Sequence, residues 1–139
     1  MTQTIVQPYL FFGGRCAEAL EFYKASVGAS VEFQMRYNES PEAQPPGRLP
    51  PNFEGKVMHA SFRIGQTVLM ASDGCDVGQA YSGFSLSIAF PTEADARQAF
   101  SALSSGGAVT MALEKTFWSP CFGMLTDRFG IAWMISVDS

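Results

Sequence analysis

The sequence has little charge and no long apolar run, and each of these shortages excludes a class of function. Its 139 residues include nine Lys and Arg against thirteen Asp and Glu, for a net charge of −4. The basic residues are scattered, so neither a nucleic-acid backbone nor an anionic membrane surface is an expected partner. No apolar stretch approaches the ~18 residues needed to cross a bilayer. The composition therefore predicts a compact globular protein without nucleic-acid or membrane contacts.

Cysteine is also scarce. Cys16, Cys75 and Cys121 make an odd number and no CxxC pair. Free thiols of this kind are typical of a reducing compartment, where they fill apolar space. The N-terminal stretch MTQTIVQPYLFF lacks the basic region and apolar core of a signal peptide. We therefore expect a cytoplasmic protein.

The apolar pattern predicts the element order β-α-β-β-β twice. In the first half a short apolar run is followed by a helical pattern that ends at Gly28, a common helix stop. In the second half Thr92 marks a helix start and Gly106 its end. The strands predicted after the helices are SVEFQMRY, KVMHASFRI, TVLMASD, AVTMALEKTFW, CFGMLTDRF and IAWMISV.

The second half also repeats the first residue by residue. Arg63-Ile64-Gly65 aligns with Arg128-Phe129-Gly130 at an offset of 65 (128 − 63), without a gap. The same offset places Asp73 beside Asp138. Such a repeat is typical of a duplicated supersecondary unit, although any two β-hairpins share some of these features.

The duplication predicts a single domain built from two modules. The modules are expected at residues 1–76 and 80–139. Residues 38–55 are rich in proline and poor in apolar side chains, so they can continue neither a sheet nor a helix. They are predicted to form an exposed loop.

Four stretches in order carry a family resemblance: PYLFFGGRCAEALEFY, MHASFRIGQTVLMASD, AYSGFSLSIAF and TFWSPCFGMLTDRFGIAWMI. They resemble the vicinal oxygen chelate superfamily of glyoxalase I, bleomycin-resistance proteins and extradiol dioxygenases, and within it the PhnB-like branch. The resemblance implies an α+β fold in which two tandem βαβββ modules form curled mixed sheets around a shared cavity. It also implies a homodimer.

The metal site of that superfamily does not carry over to this chain. The superfamily holds a divalent metal with four His, Gln or Glu side chains from strands of both modules. The corresponding positions fall at or next to Pro8, Leu69, Ser85 and Met134, none of which is a competent ligand for such a divalent metal. A slip of one residue brings in only Gln7. We therefore expect neither a metal nor another cofactor.

Two side chains are candidates for acid–base catalysis. His59 is the single histidine and lies in a predicted strand, and imidazole titrates near neutral pH. A two-residue turn after Ile64 pairs His59 with Ser72, whereas a three-residue turn pairs it with Ala71 on the opposite side of the sheet. Asp73 ends its strand, where turn formation is the alternative role.

Aromatic and methionine side chains are candidates for lining a ligand cavity, with plain core packing as the alternative. The predicted lining residues are Tyr9, Phe62, Leu69, Met70, Phe117, Trp118, Trp133 and Met134. Strand alternation places Leu69 and Ala71 on one face, and the repeat makes Ala132, Met134 and Ser136 their equivalents. The resemblance implies that this face looks into the cavity.

The leading functional hypothesis is a metal-independent protein that binds a small molecule in a largely apolar cavity between the modules or at the dimer seam. The alternative is a lyase-, isomerase- or dioxygenase-like enzyme that uses His59 or Asp73 on a small carbonyl or aromatic substrate. A third hypothesis is a structural dimer with a filled core. Members of the PhnB-like branch have also been named demethylubiquinone methyltransferases. This sequence has no GxGxxG turn after a strand, so methyl transfer from a nucleotide cofactor is not expected.

Overall fold

The chain folds into two compact units, Met1–Gln79 (unit 1) and Ala80–Ser139 (unit 2). The computed structural model describes residues 3–42, 49–74 and 81–138. Each unit contains one α-helix and one open four-stranded mixed sheet, in the chain order β-α-β-β-β. The predicted fold class, two tandem βαβββ modules, is confirmed.

Unit 1 has a sheet with the strand order β1-β4-β3-β2. Its elements are β1 (Tyr9–Phe11), α1 (Cys16–Val27), β2 (Ser30–Arg36), β3 (Val57–Ile64) and β4 (Thr67–Ser72), with one 3₁₀ turn at Tyr37–Glu39. Strand β1 runs parallel to β4, and the other neighbours are antiparallel. The helix therefore connects the parallel edge strand to the far edge of the sheet.

Helix α1 ends and packs as its sequence pattern predicts. Gly28 adopts the left-handed conformation at φ 70°, and its N–H donates to the carbonyl of Tyr23. Leu20 and Tyr23 are fully buried on the side that faces the sheet. The Tyr23 ring stacks on Phe62 of β3, with the ring centroids 6.2 Å apart. One face of the sheet is thus covered by α1.

Unit 2 repeats this topology with the strand order β5-β8-β7-β6. Its elements are β5 (Leu86–Phe90), α2 (Glu93–Ser104), β6 (Ala108–Glu114), β7 (Phe122–Thr126) and β8 (Ala132–Val137). Strand β5 runs parallel to β8, and the other neighbours are antiparallel.

Helix α2 begins at the predicted cap and lies close to its sheet. The Thr92 hydroxyl accepts a hydrogen bond from the Asp95 N–H, which satisfies one of the free amides of the first turn. On the sheet below, a Cβ added to Gly123 would lie 2.8 Å from the Phe100 ring and 3.0 Å from the Met111 carbonyl oxygen. Phe100 therefore packs where the sheet has no side chain.

One predicted strand is shorter than expected, and part of the predicted loop lies outside the described residues. The predicted strand AVTMALEKTFW ends at Glu114, and the next residues form a turn in which the Thr116 N–H donates to the Ser119 carbonyl at 2.9 Å. Residues 43–48 of the predicted loop and Cys75 lie outside the described residues. The described parts of the loop contain neither a strand nor an α-helix.

The gapless offset of 65 is wrong for the last strand of each unit. Strands β3 and β4 are joined by a two-residue turn, with Ile64 opposite Thr67, whereas five residues (127–131) separate Thr126 from its partner Ala132 in the β7–β8 hairpin. Arg128 and Phe129 therefore lie in a connection, not in a strand. A gapless alignment through the two turns therefore does not hold.

Burial gives the corrected equivalence. Leu69 and Ala71 are buried, and so are Trp133 and Ile135. The offset is thus 64 (133 − 69 and 135 − 71), which makes Met70 the equivalent of Met134. The pairing of Leu69 with Met134 predicted from the repeat is wrong, because a shift of one residue in a strand reverses every side chain.

Candidate functional site

The sheet of unit 1 has a face opposite α1, which we call its open face. Tyr9 lies opposite Met70, Met70 opposite Ser61, and Ser61 opposite Phe33. Cross-strand partners point to the same side of a sheet, so these four side chains form one row. Tyr9 is 36% exposed and Phe33 is 46% exposed. The row therefore presents two aromatic rings away from the helix.

His59 lies on the same face of β3 as Ser61 and is surrounded by aromatic rings. Its Nδ1 is 3.2 Å from the Tyr9 hydroxyl. The ring centroids of Tyr9 and Phe33 lie 5.7 Å and 6.0 Å from that of His59. The Phe11 ring, 43% exposed, lies 4.9 Å from Tyr9. We call Tyr9, Phe11, Phe33 and His59 the His59 cluster.

The turn after Ile64 decides the side on which His59 lies. The pair Ile64–Thr67 leaves a two-residue turn, one of the two alternatives that the sequence allowed. Ala60 and Phe62, which flank the position of Ser61 in β3, are fully buried on the helix side, so His59 lies on the open side. Among the described residues no group hydrogen-bonds to His59 Nε2. As far as the described part of the chain extends, this nitrogen is open to a bound molecule.

Three predicted lining residues belong instead to the helix-packed cores. Phe62 is fully buried, and Leu69 and Trp133 are 4% and 3% exposed. Phe62 stacks on Tyr23, and the Trp133 indole N–H donates to the Asp127 carboxylate at 2.9 Å. Strand alternation places them on the face opposite Met70 and Met134, so their predicted position on the lining is corrected to the core.

Asp73, predicted as a catalytic candidate, has its carboxylate occupied by the backbone. One oxygen accepts hydrogen bonds from the N–H groups of Gly14 and Cys16, at 2.9 and 2.7 Å, and the other accepts one from Val57 at 2.8 Å. The side chain is 1% exposed. It joins the start of α1 to the start of β3. Asp73 thereby satisfies backbone N–H groups at the start of α1, where the N-cap residue Arg15 makes no side-chain cap. This geometry assigns Asp73 a structural role.

Cys16 lies at the N-terminus of α1, a position that usually lowers a thiol pKa. Here burial, and to a smaller extent the nearby Asp73 carboxylate, raise the pKa of the Cys16 thiol to about 12, against an opposing effect of Arg36. The thiol therefore stays protonated and unreactive near neutral pH.

This raised pKa predicts a loss of stability in alkali. The unfolded thiol ionises near pH 9.0 but the folded one near pH 12, so this contribution is complete below pH 9 and is lost as the pH rises towards 12. Urea unfolding at pH 8 and pH 10.5 is expected to show a smaller alkaline loss in Cys16→Ala than in the parent protein. An equal loss in both would contradict the assignment.

The other three predicted lining residues of unit 2 have different environments. The sheet of unit 2 likewise has an open face, opposite α2. Met134 is half-buried on that face, because its neighbours Trp133 and Ile135 in β8 are buried on the helix side. Trp118 follows β6 in the turn and lies against Phe122, with ring centroids 5.3 Å apart at 71°. Phe117 is 97% exposed. Met134 and Trp118 therefore remain candidates for ligand contact, whereas the exposed Phe117 ring packs edge-on against Trp118, with centroids 4.8 Å apart.

Sequence reasoning missed Phe11 and Phe33 as members of the cluster. Phe33 stands in the alternating pattern of β2, and Phe11 is two residues from Tyr9 in β1, so both positions have the period-two signal of one face. The missing information was the strand order, because β1 and β2 lie at opposite edges of the sheet and reach His59 from two sides.

The described residues contain neither a cluster of metal-binding side chains nor a membrane-spanning helix. No group of three or more His, Cys, Asp or Glu side chains in residues 3–42, 49–74 and 81–138 could hold a metal ion. Neither helix in the same ranges is long and apolar enough to cross a membrane.

Comparison with known proteins then identifies the family. A family model described as 3-demethylubiquinone-9 3-methyltransferase matches residues 4–136. The chain belongs to this PhnB-like family. YjdN of Escherichia coli K12 is 34% identical over 140 residues, which cover 95% of this chain and 94% of YjdN. The methyltransferase in the family description is a name and gives no information on what this chain does.

Solved structures agree with this membership. PA1353 from Pseudomonas aeruginosa is 37% identical with a TM-score of 0.82, covering 98% of both chains. A PhnB protein from Bacillus cereus is 27% identical with a TM-score of 0.78, covering 96% of this chain and 99% of that one. The fosfomycin-resistance protein FosX of Listeria monocytogenes, at 8% identity and a TM-score of 0.65, shares the fold alone. The predicted resemblance to the PhnB-like branch of the vicinal oxygen chelate superfamily is confirmed.

Proposed function

We propose that this PhnB-like protein binds a small, flat, mostly apolar molecule on the open face of unit 1, with His59 as the polar contact. The observation that carries the proposal is the hydrogen bond between Tyr9 and His59 inside a group of partly exposed aromatic rings. Exposed aromatic groups of this size are typical of interaction sites. A planar ligand that covered them would remove apolar surface from water and gain ring contacts of about 0.5–1.5 kcal/mol each.

The hydrogen bond to Tyr9 also indicates the polar group of the ligand. When the Tyr9 hydroxyl donates to His59 Nδ1, the imidazole proton is on Nε2. Nε2 then donates to an acceptor on the ligand. A ligand that satisfies this face therefore has an aromatic or conjugated plane and an acceptor oxygen, such as a carbonyl, carboxylate or phenolate.

The charge on this face favours a neutral or singly anionic ligand. Arg63 and Glu32 lie at its far end and pair with each other, with the guanidinium Nε 2.9 Å from the carboxylate oxygen. Because that pair is internally balanced, His59 is the polar group of the His59 cluster, with the Tyr9 hydroxyl, that a ligand there would meet.

The experiment uses 2-naphthoate as the probe and calorimetric titration as the measurement. Phe33→Leu is expected to weaken binding by about 3- to 10-fold, because a ring contact is lost. The matched control is Phe117→Leu, which removes another exposed phenylalanine outside the cluster and is expected to leave affinity unchanged. 2-Naphthylmethylammonium, which has the same ring but no acceptor, is expected to bind more weakly. Equal effects of the two substitutions, or no saturable binding of 2-naphthoate, would contradict the proposal.

A second candidate function is acid–base catalysis by His59, and it needs the other direction of the contact with Tyr9. When Nδ1–H donates to the Tyr9 hydroxyl oxygen, Nε2 carries no proton and can act as a general base in an oriented ring. Pyruvate in D₂O is a suitable probe: His59 would remove a methyl proton beside the carbonyl and a solvent deuteron would replace it. The enzyme is favoured if exchange is faster than with free imidazole at the same concentration. This exchange must also be abolished in His59→Ala, while that variant still binds 2-naphthoate. Exchange at the rate of imidazole would favour a binding protein.

A homodimer and a cytoplasmic location complete the proposal. Family members with this fold are commonly dimers, and the free thiols suit a reducing compartment. Light scattering on the purified chain is expected to give twice the mass of one chain. A mass of one chain at working concentration would contradict the dimer.

A further inference from the structure

Three methionines form one cross-strand row on the open face of unit 2. Met111 of β6 lies opposite Met124 of β7, and Met124 lies opposite Met134 of β8. Neighbouring strands are ~4.8 Å apart and register partners point to the same side. The row therefore brings three of the seven methionines of the chain to one side of the sheet, on neighbouring strands.

Strand β6 is irregular on both sides of Met111 but keeps it in the row. The register shifts between Val109 and Met111 and again between Met111 and Glu114, while Met111 remains opposite Met124. Bulges of this kind re-aim individual side chains and are frequent beside functional sites. Met111 is 44% exposed, so the row is accessible from solvent.

The equivalent row in unit 1 has a different composition. Met70 occupies the place of Met134, but its neighbours in register are Tyr9 and Ser61, and Ser61 pairs with Phe33. That row has one thioether where unit 2 has three. The accumulation of methionine is therefore a property of unit 2 and not of the shared fold.

The chemistry of the row points to a soft ion. Thioether sulfur is a neutral, polarisable ligand that suits the soft ion Cu(I), whereas Mg²⁺ and Ca²⁺ prefer oxygen ligands. Ser87, the register partner of Met134 on β5, adds no charge. Within the described residues no cluster of three His, Cys, Asp or Glu side chains competes for a harder ion. We propose that Met111, Met124 and Met134 form a three-thioether site for a soft monovalent cation, Cu(I).

The test is a titration of the full-length protein with Ag(I), a redox-inert stand-in for Cu(I), followed through ¹³C-labelled methionine methyl groups. The methyl signals of Met111, Met124 and Met134 are expected to move together and to saturate at one ion per chain, while that of Met70 stays in place. The readout is specific to each methionine, so silver binding at thiols does not imitate it. Cys75→Ser removes one of the three thiols that could compete with the methionines for silver.

Matched leucine variants decide whether the row is the ligand set. Met111→Leu, Met124→Leu and Met134→Leu keep the size of the side chain, and each is expected to weaken Ag(I) binding by at least about tenfold, in line with losses at metal sites. Met70→Leu, at the equivalent position of unit 1, is expected to leave it unchanged. Affinity no higher than that of free methionine, separate movement of the three signals, or an equal effect of Met70→Leu would overturn the site. Thermal melting of each variant verifies that it is folded.

Discussion

Asp73→Ala is expected to lower the free energy of unfolding by about 3–5 kcal/mol, among the largest effects of any single substitution in this chain. The carboxylate accepts three backbone N–H groups, from Gly14, Cys16 and Val57, in a site that is 1% exposed. Alanine leaves these three donors without an acceptor, and a buried unsatisfied amide costs about 1–3 kcal/mol. Some relaxation of the chain reduces the sum. The measurement is the urea midpoint, with the slope of the transition unchanged.

The matched control for this prediction is Asp138→Ala. The sequence repeat sets Asp138 beside Asp73, but Asp138 is exposed and follows the end of β8. Its substitution is expected to change the free energy of unfolding by less than about 0.5 kcal/mol. Asp73→Asn is expected to fall between parent and Asp73→Ala, because the amide oxygen still accepts. Similar losses for Asp73→Ala and Asp138→Ala would contradict the structural role of Asp73.

Gly107→Ala is expected to lower the free energy of unfolding by about 3 kcal/mol, at the upper end of the cost of overpacking. A Cβ at Gly107, just before β6, would collide with the Thr126 carbonyl oxygen and lie 2.9 Å from the Asp127 backbone carbon atoms. These atoms are main chain, so no side-chain rotation relieves the contact. The clash is expected to separate the start of β6 from the end of β7, with faster amide exchange in β6 than in the parent.

The matched control is Gly55→Ala. Gly55 has no atom within 4 Å of an added Cβ and, like Gly107, it is not among the glycines with positive φ. Alanine there is expected to leave stability unchanged or to raise it by about 0.4–1 kcal/mol, because the unfolded chain loses conformational freedom. Comparable destabilisation at both positions would show that the effect at Gly107 is not steric.

The sequence predicted the fold because its signals are local and repeated. The helix stop at Gly28 and the cap at Thr92 act within a few residues, and both are present in the structure. The order β-α-β-β-β appears twice in the chain, and two copies of one pattern exclude most other topologies. The resemblance to the PhnB-like branch depended on the same stretches.

The site was predicted only in part, because the side of a sheet on which a side chain lies depends on the register of its strand, which the turn sets. The two hairpin connections differ in length, so a gapless alignment through them fails. Burial gives an offset of 64 instead of 65, and this single residue exchanges Leu69 for Met70 as the equivalent of Met134. A strand pattern alone does not distinguish a lining side chain from a core one, so Phe62 and Trp133 were assigned to the wrong face. Tyr9, Met70 and His59 lie on the open face of unit 1, as a lining requires.

Asp73 shows a different limit. A carboxylate at the end of a strand gives the same sequence pattern whether it faces solvent, a substrate or a set of backbone amides. Only the tertiary structure shows that the N–H groups of Gly14 and Cys16, 57 or more residues away in sequence, lie within hydrogen-bond distance of it. Long-range partners of this kind leave no local pattern.

The most direct test of the binding face is the ¹³C–¹H spectrum of the His59 imidazole during titration with 2-naphthoate. His59 is the one histidine of the chain, so untagged protein gives a single ring Hε1 signal that needs no assignment by mutation. We expect a saturable ring-current shift of that signal, with nuclear Overhauser contacts from the naphthalene protons to the rings of Tyr9 and Phe33. A His59 signal that stays in place while the naphthoate binds elsewhere, or does not bind, would contradict the account.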